Sequence, residues 1–210
     1  MKINYQKEME SQIQSITKDG QVPTLLLHSC CAPCSSYVLE YLSRFFAITI
    51  YYYNPNIYPQ EEYARRLEEQ RQLIADLPVL HEVQLIEGIY DSAKFYQVVK
   101  GHESDAEGGE RCFKCYELRL RQAALIGKER NFDFFTTTLS ISPYKNADKL
   151  NEYGKMLADE YGIGYLCADF KKRDGYKRSI ALSNQYQLYR QDYCGCIFSK
   201  NQRDAGVHAE

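Results

Sequence analysis

The sequence contains no tryptophan, and no apolar stretch in it approaches the roughly 18 residues that a membrane-spanning helix requires. Its first twenty residues are polar and lack the apolar core of a signal peptide. The net charge is only −2, so a globally basic nucleic-acid-binding surface is excluded and any such surface must be a local patch. These absences favour a cytoplasmic protein that does not enter a membrane.

No internal repeat, low-complexity stretch or linker divides the 210 residues, a length that suits one sizeable domain. We expect an N-terminal surface helix at 1–20, a catalytic α/β domain at 21–199 and a flexible polar tail at 200–210.

Apolar segments alternate with amphipathic ones along the chain. Strands are predicted at 24–29, 45–53, 83–88, 132–140 and 164–170. Helices are predicted at 5–18, 35–43, 61–77, 92–99, 115–126, 148–161 and 179–189. The alternation predicts a single-domain α/β fold, in which a mostly parallel sheet is covered by helices on both faces. Ligands of such sheets bind beyond the carboxyl ends of the strands, where the segments 29–34, 54–57, 140–145 and 169–172 would lie.

Eight cysteines stand out, and seven of them fall into three groups. The groups are Cys30, Cys31 and Cys34, then Cys112 and Cys115, then Cys194 and Cys196. In a reducing cytosol such clusters indicate metal or redox chemistry rather than structural disulfides. Cys167 lies alone inside a predicted strand, and we expect it to be a core residue.

Cys30, Cys31, Cys34, Cys112 and Cys115 are candidate metal ligands. Thiolates are stabilised at a helix N-terminus, and C-x-x-C can place two of them on one metal. Two interpretations remain open: a structural zinc, or a [4Fe–4S] cluster with sulfur left for a second metal or for substrate. The adjacent Cys30 and Cys31 favour the cluster, because neighbouring residues rarely bind the same zinc.

Cys194 and Cys196 form a C-x-C, in which Gly195 permits a tight bend. The pair could be a strained, easily reduced and redox-active disulfide, or could hold a second metal. The alternative is two unconnected thiols near the end of the sequence.

A local basic patch follows the fifth predicted strand and is a candidate nucleic-acid-binding surface. It comprises Lys171, Lys172, Arg173, Lys177 and Arg178, with Tyr176 as a stacking platform. Arg65 and Arg66 could add phosphate contacts. The alternative interpretation of these charges is a solvated face.

Six motifs resemble the epoxyqueuosine reductase QueH family over about residues 25–199. They are HSCCAPCSSYVLEYL, YYYNPNIYPQEEYARR, GERCFKCYELRL, LSISPYKN, ADFKKRDGYKRS and YRQDYCGCIFS. The resemblance implies a PP-loop/HUP-like (Rossmann-like) fold and a [4Fe–4S] cluster beside a second metal ion, taken to be iron. It also implies reduction of epoxyqueuosine to queuosine at the wobble position of tRNA, the last step of queuosine biosynthesis, with electrons from an unidentified donor.

Reduction of an epoxide to an alkene consumes two electrons and two protons and releases water, so a general acid is needed. Asp169, Tyr144 and Lys145 are the candidates. The segment after the first strand has no glycine with which to cradle a phosphate, which disfavours ATP chemistry. Two alternatives are an ATP-dependent tRNA-thiolating enzyme of related fold and a zinc-stabilised RNA-binding module.

Overall fold

The computed structural model describes residues 3–206. Its strands are β1 (Thr24–His28), β2 (Ala47–Tyr52), β3 (Gln84–Glu87), β4 (Phe134–Thr137) and β5 (Gly164–Tyr165). Its helices are α1 (Tyr5–Ile16), α2 (Ala32–Leu42), α3 (Gln60–Asp76), α4 (Ser92–Val99), α5 (Glu110–Glu129), α6 (Ala147–Tyr161), α7 (Gly175–Gln185) and α8 (Ile197–Asp204), and a 3-10 helix covers Thr138–Ile141. Among these residues, none of the helices is both long enough and apolar enough to cross a bilayer.

The described strands form one sheet in the order β3-β2-β1-β4-β5, and every neighbouring pair is parallel. The central strand is β1, where Leu26 pairs with Thr49 on one side and with Phe135 on the other. The chain moves outward from β1 to β3 and then returns to β4, so the winding reverses between β1 and β4. A crevice at the carboxyl ends of these two strands is the expected ligand site of such a sheet.

Both faces of the sheet are covered, as the alternation of segments predicts. Side chains alternate along a strand, so Leu25 and Leu27 pack with α2 and α3, while Leu26 packs with α5 and α6. All three leucines are fully buried. The α/β prediction is therefore confirmed.

The fifth strand is much shorter than predicted, because side chains replace its backbone hydrogen bonds from Cys167 onward. Gln12 of α1 accepts a hydrogen bond from the Cys167 backbone N–H at 3.0 Å. Asn151 accepts from the Ala168 N–H and donates to the Ala168 carbonyl, both at 2.9 Å. These amides protect the open edge of the sheet, and the strand prediction for 166–170 is wrong.

The fourth strand likewise ends early, at Thr137. The Thr137 hydroxyl accepts the Leu139 N–H at 3.2 Å, which caps a 3-10 turn where the sequence predicts further strand. This turn redirects the chain over the end of β1.

Helices form near both ends of the described chain. Met9 and Ile13 of α1 are buried in the core, so this helix docks rather than lying only on the surface. Residues 200–204, predicted as flexible tail, belong to α8, whose last turn carries an ion pair between Lys200 and Asp204 at 3.1 Å. Residues 1, 2 and 207–210 of the predicted terminal segments lie outside the described residues.

Candidate active site

Three thiols converge on the loop that joins β1 to α2. Cys30, Cys31 and Cys34, here called the β1 thiol group, have sulfur atoms that all lie within 4.8 Å of one another. The Cys30 and Cys31 sulfurs are 3.8 Å apart. Cys31 is buried and is the N-cap residue of α2, while Cys30 and Cys34 are half-buried. The group therefore lies at the crevice that the sheet order predicts.

The thiols of this group have different pKa values. Hydrogen bonds from Cys30 and then Cys34 to the Cys31 sulfur hold the pKa of Cys31 well below its usual range. Hydrogen bonds of Cys34 with Cys30 and then Cys31 raise the pKa of Cys34. The Gln191 side-chain amide also donates to the Cys31 sulfur at 3.0 Å. Negative charge is thus concentrated on the most buried of the three sulfurs.

Two buried arginines flank the thiols. Arg66 and Arg119 are each 2% exposed. Within residues 3–206 the Nη2 atoms of both lack a hydrogen-bond partner. Burial opposes the charge on Arg66, but the neighbouring Cys31 thiolate raises the pKa of its guanidinium. Buried cations with spare N–H groups beside converging thiols fit an anionic metal–thiolate centre.

A second thiol group comprises Cys112, Cys115, Cys194 and Cys196. Cys112 and Cys115 lie one turn apart on α5, because this helix begins at Glu110, five residues before the predicted start. Burial raises the pKa of Cys115 to about 11. Within the described part of the chain, no sulfur of this group joins the 4.8 Å cluster of the β1 thiol group.

The C-x-C turn separates its two sulfurs. Cys194 accepts a hydrogen bond from the Lys145 ammonium at 3.1 Å, whereas Cys196 packs with Cys115 under Phe95. No disulfide joins Cys194 and Cys196, and all eight cysteines carry free thiols. The predicted redox-active disulfide is therefore not the form present in the structure.

Gly195 makes this turn possible. Its φ of +124° lies in a region that L side chains rarely adopt. A Cβ at this position would lie 3.1 Å from both Ile57 Cγ1 and Arg66 Nη1. The predicted tight bend is confirmed.

A cavity of about 490 Å³ connects the two thiol groups, and we call it the thiol cavity. Cys30 and Cys34 line one part of it, and Cys194 lines another. Tyr176 also lines the cavity. A space of this volume suits one substituted nucleobase.

The structure separates the three candidate general acids. Tyr144 and Lys145 line the thiol cavity, and the Tyr144 side chain is 66% exposed. Burial opposes the charge on Lys145, but Cys194 and other neighbours raise its pKa well above the usual range, so it is an ammonium. Asp169 is buried, forms an ion pair with Lys171 and faces a neighbouring cavity. This placement does not support Asp169 as the general acid.

The profile of the family described as "Epoxyqueuosine reductase QueH" matches residues 25–202. The chain belongs to this family. A relative of the same description from Staphylococcus epidermidis (strain ATCC 12228 / FDA PCI 1200) is 44% identical over 202 residues, which cover 94% of this chain and 85% of the relative. The relative from Staphylococcus aureus (strain Mu50 / ATCC 700699) is 42% identical, covering 96% and 86%, and that from Streptococcus pyogenes serotype M1 is 40% identical, covering 94% and 78%. The resemblance of the six motifs is confirmed.

The predicted tRNA-binding residues of this QueH-family chain divide into free and paired charges. Within residues 3–206, Lys172 and Lys177 are exposed and form no ion pair. Lys171 pairs with Asp169, Arg173 with Glu10 at 2.9 Å, and Arg178 with Glu40 at 2.6 Å. The two unpaired lysines are therefore the most available cations of the patch.

Neighbouring arginines on α3 have different surroundings. Arg65 is exposed and lies 3.4 Å from the centre of the Tyr189 ring. Arg66 is buried, pairs with Glu62 at 2.7 Å and donates to the Cys194 carbonyl at 3.3 Å. The Arg66 guanidinium is directed inward, and this placement does not support the predicted phosphate contact at the surface.

Four residues around the thiols escape prediction from sequence. Arg119 lies mid-helix, Gln191 and Ser199 lie near the predicted tail, and Glu107 lies in a polar segment without periodicity. Their polar side chains carry no pattern that distinguishes them from surface residues. Their proximity to cysteine motifs, within three to five residues in each case, is the signal that the sequence offers.

Proposed function

We propose that this protein is an epoxyqueuosine reductase that converts epoxyqueuosine to queuosine in tRNA. The observation that carries the proposal is the convergence of Cys30, Cys31 and Cys34 at the cavity beyond β1. It occurs in a chain that belongs to the QueH family, whose relatives are named for this reaction. A reaction on tRNA would place the protein in the cytoplasm.

The cysteines are the candidate ligands of two metal centres. The β1 thiol group would hold one, since its three sulfurs lie within 4.8 Å of one another. Cys112, Cys115, Cys194 and Cys196 would hold the other, in place of the mixed ligand set predicted from sequence, although no three of their sulfurs lie that close together among the described residues. When bound, a [4Fe–4S] cluster would supply electrons and a second metal, taken to be iron, would polarise the epoxide oxygen. A separate electron donor must then restore the reduced state.

Lys145 is the best placed general acid. Its side chain is on the wall of the thiol cavity, where the epoxide would bind. Its raised pKa makes it a weak acid at neutral pH, so the proton would pass only as the leaving oxygen gains negative charge. The exposed Tyr144 at the same cavity can exchange protons with solvent. Two protons and two electrons then balance the loss of the oxygen as water.

The surface around the cavity suits an RNA loop. Tyr176 lines the cavity and offers a ring on which a base can stack. Lys172, Lys177 and Arg65 are exposed cations on adjoining elements, and they would contact phosphates. The target base would leave its stack to enter the cavity.

The two alternative functions receive less support. The β1–α2 loop and the first turn of α2 hold three cysteines and no glycine, which disfavours a backbone nest for ATP phosphates there. A zinc-stabilised RNA-binding module does not explain a cavity lined by both thiol groups. The family membership also favours the reductase.

The test is anaerobic purification with iron, sulfide and zinc analysis, followed by reaction with epoxyqueuosine-containing tRNA and dithionite. We expect iron and sulfide in the protein, and queuosine in the digested tRNA. Cys31→Ser should lower the iron content and abolish conversion.

Cys167→Ser is the matched control, because Cys167 is equally buried but lies outside the sulfur cluster of the β1 thiol group and does not line the thiol cavity. It should keep iron and activity. A colourless wild-type protein with one equivalent of zinc and no conversion would contradict the proposed function.

A further inference from the structure

A closed circuit of hydrogen bonds surrounds one carboxylate on the wall of the thiol cavity. Glu107 Oε1 accepts from the Lys145 ammonium at 3.1 Å, and Lys145 also donates to the Cys194 sulfur at 3.1 Å. Glu107 Oε2 accepts from the Ser199 hydroxyl at 3.0 Å. The Ser199 oxygen in turn accepts the Cys194 backbone N–H at 3.0 Å. Both arms that leave Glu107 therefore end on Cys194.

This circuit joins three segments that are far apart in sequence. Glu107 precedes α5, Lys145 follows the 3-10 helix, and Ser199 lies in the first turn of α8. All three residues line the thiol cavity together with Cys194. Glu107 therefore contacts two other residues of this wall, Lys145 and Ser199.

We propose that Glu107 is a positioning residue, which holds Lys145 and the Cys194–Cys196 turn in fixed positions relative to each other on the cavity wall. The expected effect on kcat rests on the proposed function, whereas the expected effect on the structure of the wall does not. It assigns a role to a residue that lies outside the cysteine motifs.

Burial makes the two contacts of Glu107 important. The side chains of Lys145 and Glu107 are 7% and 20% exposed, so water cannot fully replace the lost carboxylate. The Ser199 hydroxyl would also lose its acceptor, and its own hold on the Cys194 N–H would weaken. The Ser199 N–H to Cys196 sulfur contact, at 3.4 Å, would shift with it.

The kinetic test compares Glu107→Ala, Glu107→Gln and the control Glu110→Gln on a fixed tRNA substrate. Glu110 is exposed on the same segment and lies outside the cavity wall. We expect Glu107→Ala to lower kcat about 100-fold, since a small misplacement of reacting groups costs that much. KM for tRNA should change less than about 2-fold, because the exposed cations that would bind phosphates are untouched.

Glu107→Gln keeps one oxygen that can accept from Lys145, and its amide N–H can donate to the Ser199 oxygen in place of the bond that Glu107 accepts, so it should recover at least about one tenth of wild-type kcat. Glu110→Gln should match the wild type. An unchanged kcat in Glu107→Ala would overturn the proposal, and so would a loss that Glu107→Gln does not rescue. A rise in KM alone would also overturn it.

A second measurement does not require activity. Hydrogen exchange of the segment 193–199 should accelerate about 10-fold in Glu107→Ala, since the Cys194 N–H loses a fixed acceptor. Exchange in β1 should stay at the wild-type rate, and Glu107→Gln should keep the segment protected. Unchanged exchange in Glu107→Ala would overturn the positioning role. A wild-type protein that fails to reduce epoxyqueuosine but shows this pattern would refute the proposed function alone.

Discussion

Arg65 and Arg66 are adjacent on α3, but their side chains have different exposure and different contacts. Adjacent residues of a helix point about 100° apart, so one faces solvent and the other faces the thiols. Arg65 rests on Tyr189, and Arg66 is enclosed with Glu62 beneath the Cys194 carbonyl. The same side chain is a surface cation in one case and a buried structural charge in the other.

Replacing the two arginines separately should give different results. Arg66→Leu should lower the free energy of unfolding by about 3 kcal/mol, because it leaves the half-buried Glu62 carboxylate without its partner. Arg65→Leu should cost less than about 1 kcal/mol, the scale of an exposed cation–π contact.

Urea denaturation followed by circular dichroism measures both changes in unfolding free energy. Arg65→Leu serves as the control for loss of one positive charge on α3. Equal costs for the two variants would contradict the buried role of Arg66.

At the scale of elements, the start of α7 provides the most available positive charge for RNA. Lys172 and Lys177 flank its first residue, Gly175, and both are exposed. Changing both to glutamate should weaken tRNA binding and reduce the slope of log affinity against log salt by about 1.4 to 1.8, since each of the two phosphate contacts contributes roughly 0.7 to 0.9.

Filter binding at several salt concentrations tests this expectation. Lys94→Glu/Lys100→Glu is the control, because it changes the net charge equally at exposed positions around α4. If both double variants weaken binding equally, net charge rather than the patch governs the affinity.

Regular elements with strong periodicity could be predicted from the sequence. The α3 helix buries Tyr63, Leu67 and Leu73 as its spacing indicates, and β1 is a continuous apolar run. The short β5 could not be predicted, because amides of Gln12 and Asn151 take over its backbone hydrogen bonds. Residues far away in the sequence make those contacts, so local strand propensity cannot predict them.

The residues of the candidate site likewise divide into those that the sequence predicts and those that it does not. The close spacing of Cys30, Cys31 and Cys34 is visible in the sequence, so the β1 thiol group could be predicted as a cluster. The residues that set its charge could not, since a buried Arg119 and an exposed arginine look alike in a helix. Glu107 joins the site only through contacts with residues 38 and 92 positions further along the chain.

At the scale of the molecule, the eight thiols differ in accessibility. Cys30, Cys34 and Cys194 are half-buried, and the other five are buried. Burial also raises the pKa of Cys167 to about 12 and that of Cys196 to about 12, so neither is ionised near pH 8. After anaerobic removal of metal, we expect Cys194 to react fastest with a chromogenic disulfide reagent at pH 8. Cys30 and Cys34 should react less quickly, because their pKa values are raised, and the five buried thiols should react slowest.

Peptide mapping after brief alkylation identifies the fast thiols. Cys167→Ser should remove one slow thiol and no fast one, and denaturant should make all eight react together. Rapid labelling of Cys167 in the folded protein would contradict its place in the core.

Part of the thiol-cavity wall is synthesised after every described strand. Strand β5 ends at Tyr165, whereas Gln191, Cys194 and Ser199 emerge from the ribosome later. Domains fold from the N-terminal side as they leave the ribosome, so the sheet and the β1 thiol group can form while this wall is still missing. At that stage the three thiols of the group face solvent on the side that Gln191 and Cys194 later cover. The nascent chain therefore passes through an open form in which iron, or an oxidant, can reach these thiols before α8 closes the wall.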